Sequence, residues 1–344
     1  MNRIAWALVA LLLVAGAGAL LVANQTSRFM ASPLQVPDDG FAFEIPAGSS
    51  FASVSRKLVA AKLITDDTWL RLYVRWHDKG GAIHAGDYLI EPGSTAMSVL
   101  DQFTSGAVRL YAFTIVEGWN SREVLKALHA NDAVKATMTD EDWPALLESL
   151  GAEMMHPEGL FLPETYRFPR GTTDAELLRQ AYRLMQEVLA EEWDARSEES
   201  AMQSPYETLI LASIVEKETA RVDERPKIAG VFTRRLNKRM RLQTDPTVIY
   251  GIGAEFDGNL TRKHLTTDTP YNTYTRHGLP PTPIAMPGRA AINAALNPAD
   301  GPELFFVATG LTDGSHKFSE TKAEHDAAVA EYLAELRRKR RSGQ

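Results

Sequence analysis

Cysteine is absent from the 344 residues. That excludes disulfides, thiolate nucleophiles and cysteine-ligated metals, and it suits an oxidising compartment as well as a reducing one. A basic excess is missing too: the formal charge is −7, which argues against a dedicated nucleic-acid binder. The histidines (His77, His84, His129, His156, His264, His277, His316, His325) are scattered, with neither HExxH nor a paired His/Asp spacing, so no metal site is expected. A GxSxG elbow and a P-loop are also missing. No period of ~20–50 residues recurs, which argues against solenoids and propellers. What remains is ordinary globular composition, 44% hydrophobic and 24% charged, enough for a sizeable core.

The N-terminus carries the location signal. Residues 4–23 (IAWALVALLLVAGAGALLVA) hold no charge, and a helix needs ~20 such residues to cross a bilayer. The rival reading is a cleaved signal peptide, whose apolar region normally runs ~7–15 residues. We expect a retained anchor over residues 1–28, with the bulk of the chain outside the cytoplasm, and a Pro-containing stalk over 29–43. A small module over 44–108 reads strand, helix, helix, strand, helix. Its strands lie near Phe43–Ile45 and at 85–90, and its helices include 51–61 and a segment capped by Thr95. From 109 to 344 the pattern predicts helices at 121–129, 174–192, 206–221, 226–239 and 320–340, with strands at 111–116, 247–250 and 304–308. The fold class is α+β. The basic run Arg337, Arg338, Lys339, Arg340 and Arg341 reads as a solvated helix end, favoured by the macrodipole.

Two glutamates on the helix at 206–221 could do chemistry. Glu216 shares a strip with Ala212, Ser213, Thr219 and Ala220, small and partly polar. Glu218 lies above Ile214 and Val215, with Leu211 a turn further back, an apolar strip. Their side chains diverge by about 200°, so one pocket cannot take both. A carboxyl against an apolar face loses solvation when charged, which moves its pKa from ~4.3 toward the ~6–7 that suits a general acid. The plain alternative is a surface glutamate near the end of an amphipathic helix. Polar and aromatic groups on stiff Pro-rich loops cluster nearby in sequence, in LQTDPTVIY at 242–250, PYNTY at 270–274 and GLPPTPI at 278–284, with PEGLFLPETY at 157–166 of the same character. Such groups suit sugar hydroxyls and the apolar faces of sugar rings. The basic helix with Arg225, Lys227, Arg234, Arg235, Lys238, Arg239 and Arg241 reads as a solvated face; the alternative is a surface for the acidic peptide stems of a cell-wall polymer.

ASIVEKETA at 212–220, RLQTDPTVIYG at 241–251, YNTYTRHGLPPTPIAMPG at 271–288, LFFVATG at 304–310 and HKFSETKAEHD at 316–326 resemble the MltG (YceG-like) endolytic murein transglycosylases in order along the chain. The resemblance implies a single-pass inner-membrane protein facing the periplasm, a LysM-like subdomain near 44–108 and a catalytic domain from 109. It implies cleavage of nascent peptidoglycan glycan strands beside the synthases, terminating elongation, without metal or organic cofactor. Position matching puts the catalytic glutamate on Glu218 and carries Gln243, Asp245, Tyr271 and Asn272 over as groove lining. Ordinary glycosidases need two carboxylates, but here the muramic acid's own C6 hydroxyl would serve as nucleophile, so one suffices. Two rivals stay open: a hydrolase using Asp245 or Glu164 as second carboxylate, and a non-catalytic glycan-binding scaffold.

Overall fold

The computed structural model describes residues 3–198 and 200–342. The chain divides into two compact units, residues 1–111 with 167–172, and residues 112–166 with 173–344.

The first unit holds α1 (Arg3–Ala31), β1 (Phe41–Ile45), α2 (Phe51–Ala60), α3 (Thr68–Trp76), β2 (Gly86–Ile90) and α4 (Ala96–Ser105). After α1 the order is strand, helix, helix, strand, helix, as expected. Trp6–Ala31 has a mean hydropathy of 2.5, and is long and apolar enough to cross a membrane. A helix of 29 residues is about 44 Å long, more than the ~30 Å of hydrocarbon. Leu11 to Val14 are exposed, whereas Thr26 and Met30 are buried, where α1 packs on α3 and α4. β1 and β2 pair antiparallel from Phe41↔Ile90 to Ile45↔Gly86. Their alternation turns Phe43, Ile45, Tyr88 and Ile90 inward, where Phe103 of α4 stacks on Phe43 and meets Tyr88 edge-on. Caps fix the helix starts: Ser50 accepts from the Ser53 amide, and Thr95 with Ser98 forms a capping box.

Two paired strands, β3 (Leu110–Thr114) and β4 (Thr165–Pro169), carry the chain from one unit to the other and back. The second unit is mostly helical: α5 (Ser121–His129), α6 (Trp143–Ser149), α7 (Asp174–Asp194), α8 (Pro205–Glu218), α9 (Arg225–Asn237), α10 (Asp245–Ile252), α11 (Arg262–Thr266), α12 (Arg289–Leu296), then β5 (Phe305–Ala308), β6 (His316–Ser319) and α13 (Lys322–Ser342). β5 and β6 pair antiparallel from Phe305↔Ser319 to Ala308↔His316.

The expected strand at 247–250 is a helical segment of α10. Thr247, Val248, Ile249 and Tyr250 have strand propensity, but Asp245 lies in the first turn and Pro246 follows it, and that start signal wins. α8 is not amphipathic: Thr208 through Val215 are all buried, with α7, α9, α10 and α12 packed around them. A helix enclosed on every side is the centre of its unit. The basic helix is not simply a solvated face either, because Arg225 and Arg235 are buried. At the C-terminal run Arg338 pairs with Glu335 at 2.7 Å and Lys339 reaches the Gly310 carbonyl at 2.5 Å. The side chains of Arg340 and Arg341 lie outside the described residues.

Candidate active site

α8 starts where Ser204 caps the Glu207 amide and Pro205 takes the first turn. It ends at Glu218, three residues before the expected 221, because Thr219 turns extended at φ −147°. The last turn therefore projects three charged side chains from a buried core. Lys217 donates to the Gly118 carbonyl at 3.1 Å. Glu216, its side chain only 5% exposed, takes Arg225 at 2.6 Å and the Gly288 amide at 3.0 Å. Burial pushes the Glu216 carboxyl upward, while the Gly288 amide and Arg225 pull it back. The nearby Glu117 carboxylate adds to the upward push.

Glu218 goes the other way. Its carboxyl accepts from the Thr244 hydroxyl, and Asp245 adds a second negative charge beside it. The residue is half-buried, yet its carboxyl is strongly desolvated. Burial foremost, with a further push from Asp245 against the Thr244 hydroxyl, raises its pKa to about 7. A carboxylic acid in that range can give a proton and take one back near neutral pH.

The loop before α10 holds this partner in place. Thr244 is 2% exposed, and its amide donates to the Thr273 hydroxyl at 3.1 Å, which also meets the Thr247 hydroxyl at 2.9 Å. The Gln243 amide donates to the Thr273 carbonyl at 3.1 Å. Beneath the loop, buried Arg235 donates to the carbonyls of Leu242 at 2.8 Å and Leu304 at 2.6 Å. Gln243 sits at φ +53°, a left-handed conformation that costs a side-chain-bearing residue ~1–2 kcal/mol.

Gln243 and Asp245 are exposed, and the Asp245 carboxylate accepts from the Tyr274 hydroxyl at 2.5 Å. Tyr271 is half-buried, meets Tyr250 edge-on at 5.0 Å and shares a hydrogen bond with Thr282 at 2.8 Å. Asn272 is different. It is 1% exposed, and its amide nitrogen donates to the carbonyls of His264, Leu265 and Thr267 while its oxygen accepts from the Tyr274 amide. Asn272 braces the loop from within and also borders a hollow with Thr273 and His277. Glu164 is exposed and accepts from the adjacent Thr165 amide.

Several residues of the site were not singled out by sequence. Thr244 and Tyr274 stand inside the quoted motifs, but nothing local marks them as partners of Glu218 and Asp245. Glu158, inside PEGLFLPETY, is 2% exposed, accepts from the Ser121 amide and hydroxyl at 2.9 and 2.6 Å, and is pushed up by burial. Among the described residues no group of three or more His, Cys, Asp or Glu could hold a metal ion.

Three comparisons bear on this arrangement. A model of the YceG-like family matches residues 43–331. An endolytic murein transglycosylase of Bacillus subtilis (strain 168) is 32% identical over 308 residues, covering 84% of this chain and 84% of the relative. One from Streptococcus pneumoniae serotype 2 is 27% identical over 321 residues, 84% of this chain and 58% of the relative. The crystal structure of a yceG-like protein from Listeria monocytogenes matches with a TM-score of 0.53 and 29% identity, over 85% of this chain and 99% of that one.

Proposed function

The chain belongs to the YceG-like family, and from that premise we propose that it is an endolytic lytic transglycosylase of peptidoglycan with Glu218 as its acid/base. The observation that carries this reading is the carboxyl of Glu218, desolvated, raised to about 7 and held by the Thr244 hydroxyl at the end of a buried helix. Protonated Glu218 gives its proton to the glycosidic oxygen between N-acetylmuramic acid and the next N-acetylglucosamine. The C–O bond breaks, and the resulting carboxylate takes the proton of the muramic acid's own C6 hydroxyl as that oxygen closes onto C1. The product is a 1,6-anhydro end, and Glu218 is restored protonated. The nucleophile belongs to the substrate, so positioning supplies much of the rate. Exposed Gln243 and Asp245, with Tyr271, line the glycan path in this reading, and Asn272 acts through the loop it braces.

Trp6–Ala31 supports a single-pass anchor with the rest of the chain in the periplasm, where nascent strands and their synthases are met. The small strand–helix module, 44–108, serves as the LysM-like part. Cleavage near the synthesis site would terminate elongation.

One observation favours a second reading. Asp245 stands close enough to press on Glu218, so it could activate water in a two-carboxylate muramidase. Mass spectrometry of purified sacculi after digestion separates the two. Anhydro-ended muropeptides, lost in Glu218→Gln, support transglycosylation; reducing ends, lost in Asp245→Asn, support hydrolysis. Unreleased sacculi with retained binding would reject both.

A further inference from the structure

Most cationic side chains of α9 are occupied. Arg225 pairs with Glu216, Arg234 with Glu303, Arg235 holds carbonyls beneath the candidate site, and Lys227 lies over the Phe318 ring. Lys238, Arg239 and Arg241, just past its end, are different: among the described residues no ion pair or side-chain hydrogen bond engages them. In a chain of charge −7, one of these free cations, Arg239, borders a hollow. Leu236, Arg239, Met240, His277 and Gly278 line a hollow of about 500 Å³. A second of about 410 Å³ shares Leu236 and Gly278 with it, and a third of about 270 Å³ shares His277 and Gly278. The three share Gly278; Arg239 is the unpaired cation of the first, Glu207 lines the second, and Arg276 of the third is paired with Asp268 at 2.9 Å, so the anion-binding part of the trough is the first hollow, with Arg239 above Leu236 and Met240. The His277 Nδ1 lies 3.0 Å from the Arg239 carbonyl, and its Nε2 has no partner among the described residues.

The trough lies within a short length of chain from Glu218's partner. Arg239 precedes Thr244 by five residues, a reach of at most ~18 Å. His277 follows by four residues Thr273, which bonds the Thr244 amide. An extended tripeptide spans ~10 Å. We propose that this hollow binds the acidic peptide stem carried by the muramic acid of the strand being cut, a carboxylate on Arg239 and its methyl groups on Leu236 and Met240. This rests on the proposed glycan substrate, but the site itself can be tested without catalysis.

The variant of choice is Arg239→Gly. Arg239 ends α9 at φ +53°, with the Met240 amide on the Arg235 carbonyl at 2.8 Å, a helix end that glycine fits better than any other residue. Lys62 and Asp78 adopt the same left-handed conformation after α2 and α3, so the backbone alone does not mark a site; it supplies a substitution that should not harm the fold. The full chain is titrated by calorimetry with synthetic Ala–γ-Glu–diaminopimelate. Saturable binding is expected in the parent and in Glu218→Gln. In Arg239→Gly it should weaken about tenfold, the scale of one charge-assisted contact, with Tm at or above the parent's. On strands, the kcat/KM ratio for peptide-bearing over peptide-stripped glycan should fall by the same factor, through KM. Absence of tripeptide binding, binding indifferent to Arg239→Gly, or an unchanged ratio would overturn the proposal. Arg239-dependent tripeptide binding by a chain that cleaves neither strand would leave the trough standing and remove the enzymatic reading instead.

Discussion

The last turn of α8 sends Glu216 and Glu218 into two regions that share a helix, a residue type and substantial burial. Around Glu216 stand a guanidinium at 2.6 Å, a backbone amide at 3.0 Å and a second carboxylate, Glu117, which shares the guanidinium at 3.2 Å. Around Glu218 stand one hydroxyl and a second carboxylate. Burial lifts both acids, but only the first region supplies a compensating charge. Burial alone therefore does not make a general acid. The proposed acid is the one buried without a cation, and its neighbour is the one tied to a cation.

The sharpest way to break this contrast is to neutralise each acid in turn. Glu218→Gln should lose about 10³-fold in turnover, within the range for a positioned acid/base, with its circular dichroism unchanged. Glu216→Gln should instead destabilise the fold by on the order of 3 kcal/mol in urea unfolding, because Arg225 is left buried without its main partner. Equal activity losses with equal stabilities would erase the distinction.

The same pair should differ in how stability depends on pH. The Glu218 pKa rises from 4.5 unfolded to about 7 folded, so the native state binds the proton more tightly. Stability from this group is present below pH 4.5 and is lost as pH rises toward about 7. Glu218→Gln should thus be more stable than the parent above pH 7, by at most on the order of 3 kcal/mol, and no different below 4.5. Thermal melts at several pH values read this directly.

Two neighbours tune the acid in opposite senses. Asp245→Asn removes the charge that raises Glu218, so the falling limb of the rate above neutrality should move to lower pH. Thr244→Val removes the hydroxyl that lowers it, so the limb should move to higher pH. Shifts in opposite directions are expected, and parallel shifts would deny that these groups act through Glu218. The smallest effect belongs to the backbone: Gln243→Gly should relieve the φ of +53°, raising stability by ~1 kcal/mol while weakening glycan binding.

Local chemistry made part of this legible in the sequence. Turn and cap residues gave the order of the small module, whereas the apolar strip of Leu211, Ile214 and Val215 does not set one side of α8 apart, because Ala212 and Ser213 on the other strip are equally buried. What stayed hidden depends on residues far apart in the chain. Thr244 lies 26 positions from Glu218, and no local pattern announces that hydroxyl. The burial of Arg225 and Arg235 required knowing that Glu216 and the loop carbonyls would meet them. That Asn272 is a buried brace was hidden as well, because an exposed loop amide and a loop brace have the same sequence signature. α10 misled for another reason: β-branched residues outweighed a Thr-Asp-Pro start that should have taken precedence.

The most direct measurement is a carbon-13 titration of the glutamate carboxyls in the parent and in Glu218→Gln. One resonance, missing in the variant, should titrate with a midpoint near 7. A midpoint at or below the ordinary 4.5 would show an acid already charged where it must donate, and would contradict the role given to Glu218.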